Sequence, residues 1–108
     1  MILIVSKYLI PKGYRGLTLF PFVFLKYPEA KSDLVLINHE KIHLRQQLEL
    51  LVLPFFLWYG LEFLLRLLKY KDRKMAYRMI SFEQEAYGNE KDLHYLKQRS
   101  FWRFLKYL

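Results

Sequence analysis

Along the chain, apolar residues gather first in two short runs separated by a turn cluster. Residues 2–5 are Ile-Leu-Ile-Val, residues 11–16 hold the Pro and Gly of a turn, and residues 17–25 are rich in β-branched and aromatic side chains. Pro21 lies inside that longer run and has no amide to donate, so the run is predicted to be an edge strand or a strand broken by a bulge. Residues 27–30 close it. From Ser32 the spacing of apolar positions becomes helical. Ser32 and Asp33 read as a capping hydroxyl followed by an acidic first turn, and a helix is predicted through residues 38–43 to about Leu53, where Pro54 should kink or end it. Further helices are expected over about residues 55–68, 75–90 and 92–108, with a basic break at residues 69–74. The pattern predicts an α+β protein: an N-terminal β-hairpin or edge strand followed by about four helices, with residues 1–108 forming a single domain.

Residues 50–61 form twelve positions without a charge, bounded by Glu49 and Glu62. A helix that spans a bilayer needs roughly 20 apolar residues, so this run is too short to cross one. It is also apolar nearly all round, which a chain of 108 residues cannot easily cover. Three fates stay open for it: a central core helix, association with a membrane surface, or a homodimer interface.

Composition sharpens the picture. Apolar residues make up 54% of the chain and aromatic ones 19%, enough for a packed core. With no cysteine, disulfides, thiolate ligands and cysteine nucleophiles are excluded, and any metal must be held by His, Asp or Glu. The net charge is +8, and from Arg66 onward eleven Lys and Arg face five Asp and Glu. That balance suits an anionic partner or a solvated face. The first five residues lack the basic start and cleavage site of a signal peptide. A cytoplasmic protein, or one peripheral to the cytoplasmic face of a membrane, is therefore expected.

The chemistry is concentrated in His39-Glu40-Lys41-Ile42-His43, an HExxH string. Histidines four apart sit one above the other on a helix, so both imidazoles can reach one ion. Glu40 is offset by about 100° from His39, toward a water on the ion rather than the ion itself. A zinc site of this kind needs a third protein ligand and a free position. On a helical wheel of residues 75–90, Ala76, Met79, Ile80, Phe82, Ala86 and Tyr87 form one apolar stripe. Glu83 falls inside the stripe, whereas Glu85 points to the opposite side. A carboxylate facing a core is costly unless it is paired or metal-bound, which makes Glu83 the expected ligand. Glu90 lies near the same stripe and could support a ligand.

HExxH followed by a later helix with E-x-x-A, here Glu83 to Ala86, resembles the gluzincin metallopeptidases. It is similar to the membrane-associated zinc peptidases that process prenylated proteins and to the metallopeptidases that clip regulatory repressors. The resemblance implies a minimal zincin-like domain with zinc on His39, His43 and Glu83, and Glu40 as general base in hydrolysis of a peptide or protein substrate. Related families often carry Asp four residues after the ligand Glu, where this chain has Tyr87. A transition-state or supporting donor would come from Tyr77, Tyr87 or His94, and residues 17–25 could align an extended peptide by strand addition.

Two other functions compete with hydrolysis. One is a catalytically silent zinc protein with a structural or regulatory role. The other is a basic binding module, since residues 69–74 and 97–108 interleave cations with aromatic rings. No RNP-like, KH-like or zinc-knuckle pattern is present, which disfavours nucleic acid; an anionic membrane surface fits the same residues better.

Overall fold

A computed structural model describes residues 1–108. Three strands come first: β1 (Ile2–Val5), β2 (Gly16–Leu19) and β3 (Phe22–Leu25). They form one sheet in the order β1-β3-β2, with β1 parallel and β2 antiparallel to β3. The apolar run at 17–25 is thus not one strand but a hairpin folded at a cis Phe20–Pro21 peptide. Pro21 sits in the turn, outside both strands, so its missing amide disturbs no ladder. Of the two halves only β2 is at an edge; β3 is central, with β1 on its other side.

A 3-10 turn at Pro28–Ser32 leads into α1 (Leu34–Leu50). The cap of α1 is Asp33, whose carboxylate accepts from the Leu36 amide at 3.1 Å; Ser32 plays no part, and the first turn holds no acidic residue. Next comes α2 (Val52–Tyr70), bent 111° from α1. The break falls at Leu51, which takes a positive φ of 63°, and not at Pro54. Pro54 lies in the first turn of α2, where amides have no helical partner and a proline costs nothing.

The predicted helix at 75–90 is two helices, α3 (Arg73–Met79) and α4 (Ser81–Asn89). Ile80 between them is extended, with ψ of 134°. Two side chains set these starts. Asp72 caps α3 by accepting from the Lys74 and Met75 amides at 2.9 and 3.3 Å. Glu62 of α2 accepts from the Ser81 amide at 3.0 Å and from the Ser81 hydroxyl, so one helix caps another. The predicted C-terminal helix is only α5 (Tyr95–Gln98) followed by a 3-10 turn at Arg103–Tyr107. Arg99 is extended there and Trp102 has a φ of 58°, so the helix cannot run through. The class is α+β, with a small sheet and five α-helices.

Two apolar clusters support the fold. Val23, Leu25, Ala30 and Ile37 join β3 to α1, while Phe55, Ile80, Phe82 and Phe104 join α2, α4 and the C-terminal turn. In the second, Phe82 lies 4.5 Å from Phe55 and 4.6 Å from Phe104 between ring centres. Helix α1 runs between them and packs against β2, α2 and α4. Of its eight buried residues, six are polar: Asn38, His39, Glu40, His43, Gln46 and Gln47. A helix this polar is tolerated inside a protein only if each group finds a partner. The segment 50–61 did not become a central core helix, because α2 buries only Phe55 and Glu62 fully and turns its other face to solvent.

Glu62→Ala should leave both Ser81 donors unpaired and lower the unfolding free energy by about 2–3 kcal/mol. Urea denaturation reads this directly, and an unchanged midpoint would mean that the start of α4 is held by something else.

Candidate metal centre

Helix α1 projects His39 and His43 from one face, and α4 brings Glu83 to meet them. All three are buried, at 4%, 6% and 4% exposure. The two Nε2 atoms are 3.1 Å apart, and Glu83 Oε1 lies 3.0 Å from His43 Nε2 and 3.3 Å from His39 Nε2. Ligands about 2.0–2.1 Å from a tetrahedral ion stand about 3.3 Å from one another, so this triangle has nearly the dimensions of one face of a zinc site. A single proton can bridge only two of these three atoms, whereas a cation at their centre satisfies all of them. The residues therefore fit a metal ion.

The surrounding groups hold the triangle in place. Gln46 Oε1 lies 2.8 Å from His43 Nδ1, which leaves Nε2 facing the centre. Tyr59 donates to Glu83 Oε2 at 2.6 Å, directing the other carboxylate oxygen at the imidazoles. His39 Nδ1 is buried with no hydrogen bond, and the nearest carboxylate, Glu90 Oε2, is 3.7 Å away. The Tyr87 ring packs edge-on against His39 at 4.4 Å between ring centres, so it fills space beside the ligand rather than accepting from it.

Charge at the cluster is shared. Burial opposes a positive His43, but the touching Glu83 carboxylate outweighs it and raises the pKa from 6.5 to about 9. Burial likewise opposes a charged Glu83, and the charge on His43 with hydrogen bonds from both imidazoles holds it well below the usual carboxylate range. Burial and the Glu83 charge push the Tyr59 and Tyr77 phenols far above 10, so both remain neutral donors.

Glu40 stands beside the triangle and is not part of it. Thr18 of β2 donates to Glu40 Oε2 at 2.5 Å. A Cβ at position 16 would lie 2.9 Å from Glu40 Oε1, so Gly16 is the residue that lets β2 come this close. His39, Glu40, His43 and Glu83 all line one cavity of about 410 Å³, whose other walls include Leu17, Phe55, Phe56, Tyr59 and Phe63. His39 and Glu40 also border a second cavity of about 250 Å³ with Tyr87 and Glu90. Tyr77 lines both, and its hydroxyl is 3.0 Å from that of Tyr87. His94 lies exposed at the start of α5 and lines neither, so it is not placed to assist chemistry at the cluster. At the edge of the sheet, Gln47 donates to the Thr18 carbonyl at 2.8 Å and accepts from the Phe20 amide at 2.7 Å. That closes part of β2 to an added strand.

The opposite face of α4 is not solvated. Glu85 is fully buried, accepts from Gln46 Nε2 at 3.0 Å and from Tyr95 at 2.6 Å, and forms an ion pair with Arg99. Arg99 also binds Glu49 at 2.7 Å. This network reaches His43 through Gln46. Neither Tyr59 nor this network was found from the sequence; the one available signal was Glu62, whose lone charge after twelve uncharged residues marks the inner face of α2.

Against known proteins, no family model, no curated protein and no solved structure matches this chain.

Two outcomes follow from the geometry. Glu83→Gln should lose the metal, whereas Glu85→Gln should keep one ion per folded chain but lose about 3 kcal/mol of stability, because Arg99 would be left with Glu49 as its one carboxylate partner. Metal analysis beside urea denaturation separates the two, and equal metal content would refute the ligand assignment. Since His43 carries a proton below about pH 9, a metal must displace it. Apparent affinity should rise about tenfold per pH unit from 7 toward 9 and then level off; a flat profile in competition titrations would contradict this.

Proposed function

We propose that this protein is a zinc-dependent peptide hydrolase of the gluzincin type, with a zincin-like arrangement of sheet edge and HExxH helix. The observation that carries the reading is the placement of Glu40: a buried carboxylate beside three convergent ligand atoms, on the wall of the same cavity. A silent metal site has no need of it there.

His39, His43 and Glu83 would hold zinc, and the absence of sulfur donors suits a catalytic more than a structural site. Zinc, when bound, supplies Lewis acidity toward a peptide carbonyl and toward water. Glu40 is placed to take a proton as water attacks the carbonyl carbon, and to return it to the departing amine as the C–N bond breaks. The Thr18 hydroxyl holds Oε2 of Glu40, and Oε1, against Gly16, is the oxygen that would carry this proton. Tyr77, neutral and on the cavity wall with its hydroxyl 3.0 Å from that of Tyr87, would donate to the developing oxyanion. The apolar walls favour a substrate with a hydrophobic side chain next to the bond cut.

Glu40→Gln keeps size and one hydrogen bond but cannot accept a proton. It should retain one zinc per chain and lose at least about a hundredfold in hydrolysis of a peptide library. Gly16→Ala, which crowds Glu40 Oε1, should impair hydrolysis at unchanged zinc content. Hydrolysis that survives in Glu40→Gln would remove Glu40 from the chemistry. No hydrolysis by the zinc-loaded wild type would assign the chain to the silent metal-binding proteins.

A further inference from the structure

We propose that the outer face of α2 lays the protein on an anionic lipid bilayer, with the mouth of the metal cavity at the membrane surface. Leu53, Leu57, Leu61, Leu64, Leu65 and Leu68 are each 56–75% exposed, and together they run the length of the 19-residue helix. At about 100° per residue they and Phe56 cover roughly half of its circumference. A stripe this continuous and this exposed is not left bare by a stable soluble monomer.

Two features select a lipid surface over a second copy of the chain. A helix-pairing seam is narrow, whereas this face is about as wide as those that lie in membrane interfaces. The chain also carries a net charge of +8, which repels its own copy and is attracted by anionic lipid. The cations stand where such binding needs them. Lys69, Lys71, Arg73 and Lys74 are all exposed at the end of α2 and the start of α3, and the one acid among them, Asp72, is occupied in capping α3.

The helix lies on the bilayer and does not cross it. No single helix is long and apolar enough to span. The opposite face of α2 is tied to α4 by Glu62, which binds Ser81, and by Phe55, which packs 4.5 Å from Phe82, and these contacts hold α2 on the protein. Phe56 and Gly60 belong both to this exposed face and to the wall of the metal cavity. Docking by α2 would therefore bring the cavity to the interface, where chains anchored in or emerging from lipid can enter it. The stripe contains neither a metal ligand nor Glu40, so docking and hydrolysis can fail independently.

The test is sedimentation of the 108-residue chain with phosphatidylcholine–phosphatidylglycerol vesicles and with phosphatidylcholine alone, at low and high salt. The protein should pellet with the anionic vesicles, less so at high salt. Leu61→Glu/Leu64→Glu should reduce partitioning on the order of a hundredfold. Lys71→Gln/Lys74→Gln should reduce it about tenfold, and only on anionic vesicles. Both pairs are on exposed positions, and unchanged metal content and circular dichroism show that the variants are folded. Absence of vesicle binding, or binding indifferent to the leucine pair, overturns the proposal. So does a concentration-dependent dimer that the leucine pair dissolves while vesicles are ignored, since the face would then belong to a second copy.

Discussion

The Glu83 carboxylate meets two imidazoles on the wall of a cavity, almost wholly buried, and much of the architecture serves to keep that contact intact. An ionised carboxylate at 4% exposure is untenable unless positive charge and hydrogen bonds surround it. His43 supplies the first, and both imidazoles and the Tyr59 hydroxyl supply the second. To bring them together, α1 must carry a polar face into the interior and α4 must begin two residues before Glu83. The start of α4 is in turn fixed by Glu62, from a helix that is itself bent 111° away from α1. Asn38 secures the other end of α4, donating to the carbonyls of Glu90 and Asp92 at 2.8 and 2.9 Å. The cluster is thus held from three sides by groups that are not ligands, which is what a metal site requires if its geometry is to survive without the ion.

A second buried charge system backs the first. Arg99 pairs with both Glu85 and Glu49, and Gln46 connects Glu85 to His43. The C-terminal segment therefore does more than contribute Phe104 to the core. It supplies the cation without which Glu85 could not be buried two residues from Glu83. Arg99 lies in an extended break between α5 and the final 3-10 turn, and that break exists because its side chain is directed inward.

Part of the His39, His43 and Glu83 cluster was legible in the sequence because it is local. The pair His39/His43 follows from a four-residue spacing on one helix, whereas Glu83 follows from a stripe on a single helix over residues 75–90 that in fact breaks at Ile80. What was illegible depends on contacts between distant segments. Glu85, on the opposite side of the wheel, is buried only because residues 95–107 fold over it. Tyr59 sits in a run that reads as uniformly apolar, and nothing local reveals that its hydroxyl meets a carboxylate 24 residues on. The run at 17–25 carries the composition of one strand, and its division depends on a turn at Pro21 that brings two short halves together. Helix ends followed the same rule. Pro54 is the stronger breaker by propensity, yet Leu51 breaks the chain, because α2 must turn back over α4.

The zinc K-edge absorption spectrum of the zinc-loaded protein tests the central claim most directly, since it reports the atoms around the ion without reference to activity. Two imidazole nitrogens and oxygen ligands at about 2.0–2.1 Å, in a four- or five-coordinate shell with a single ion per chain, are the expected result. A shell of oxygens alone, or one with a single imidazole, would contradict the assignment of His39, His43 and Glu83 as the ligands.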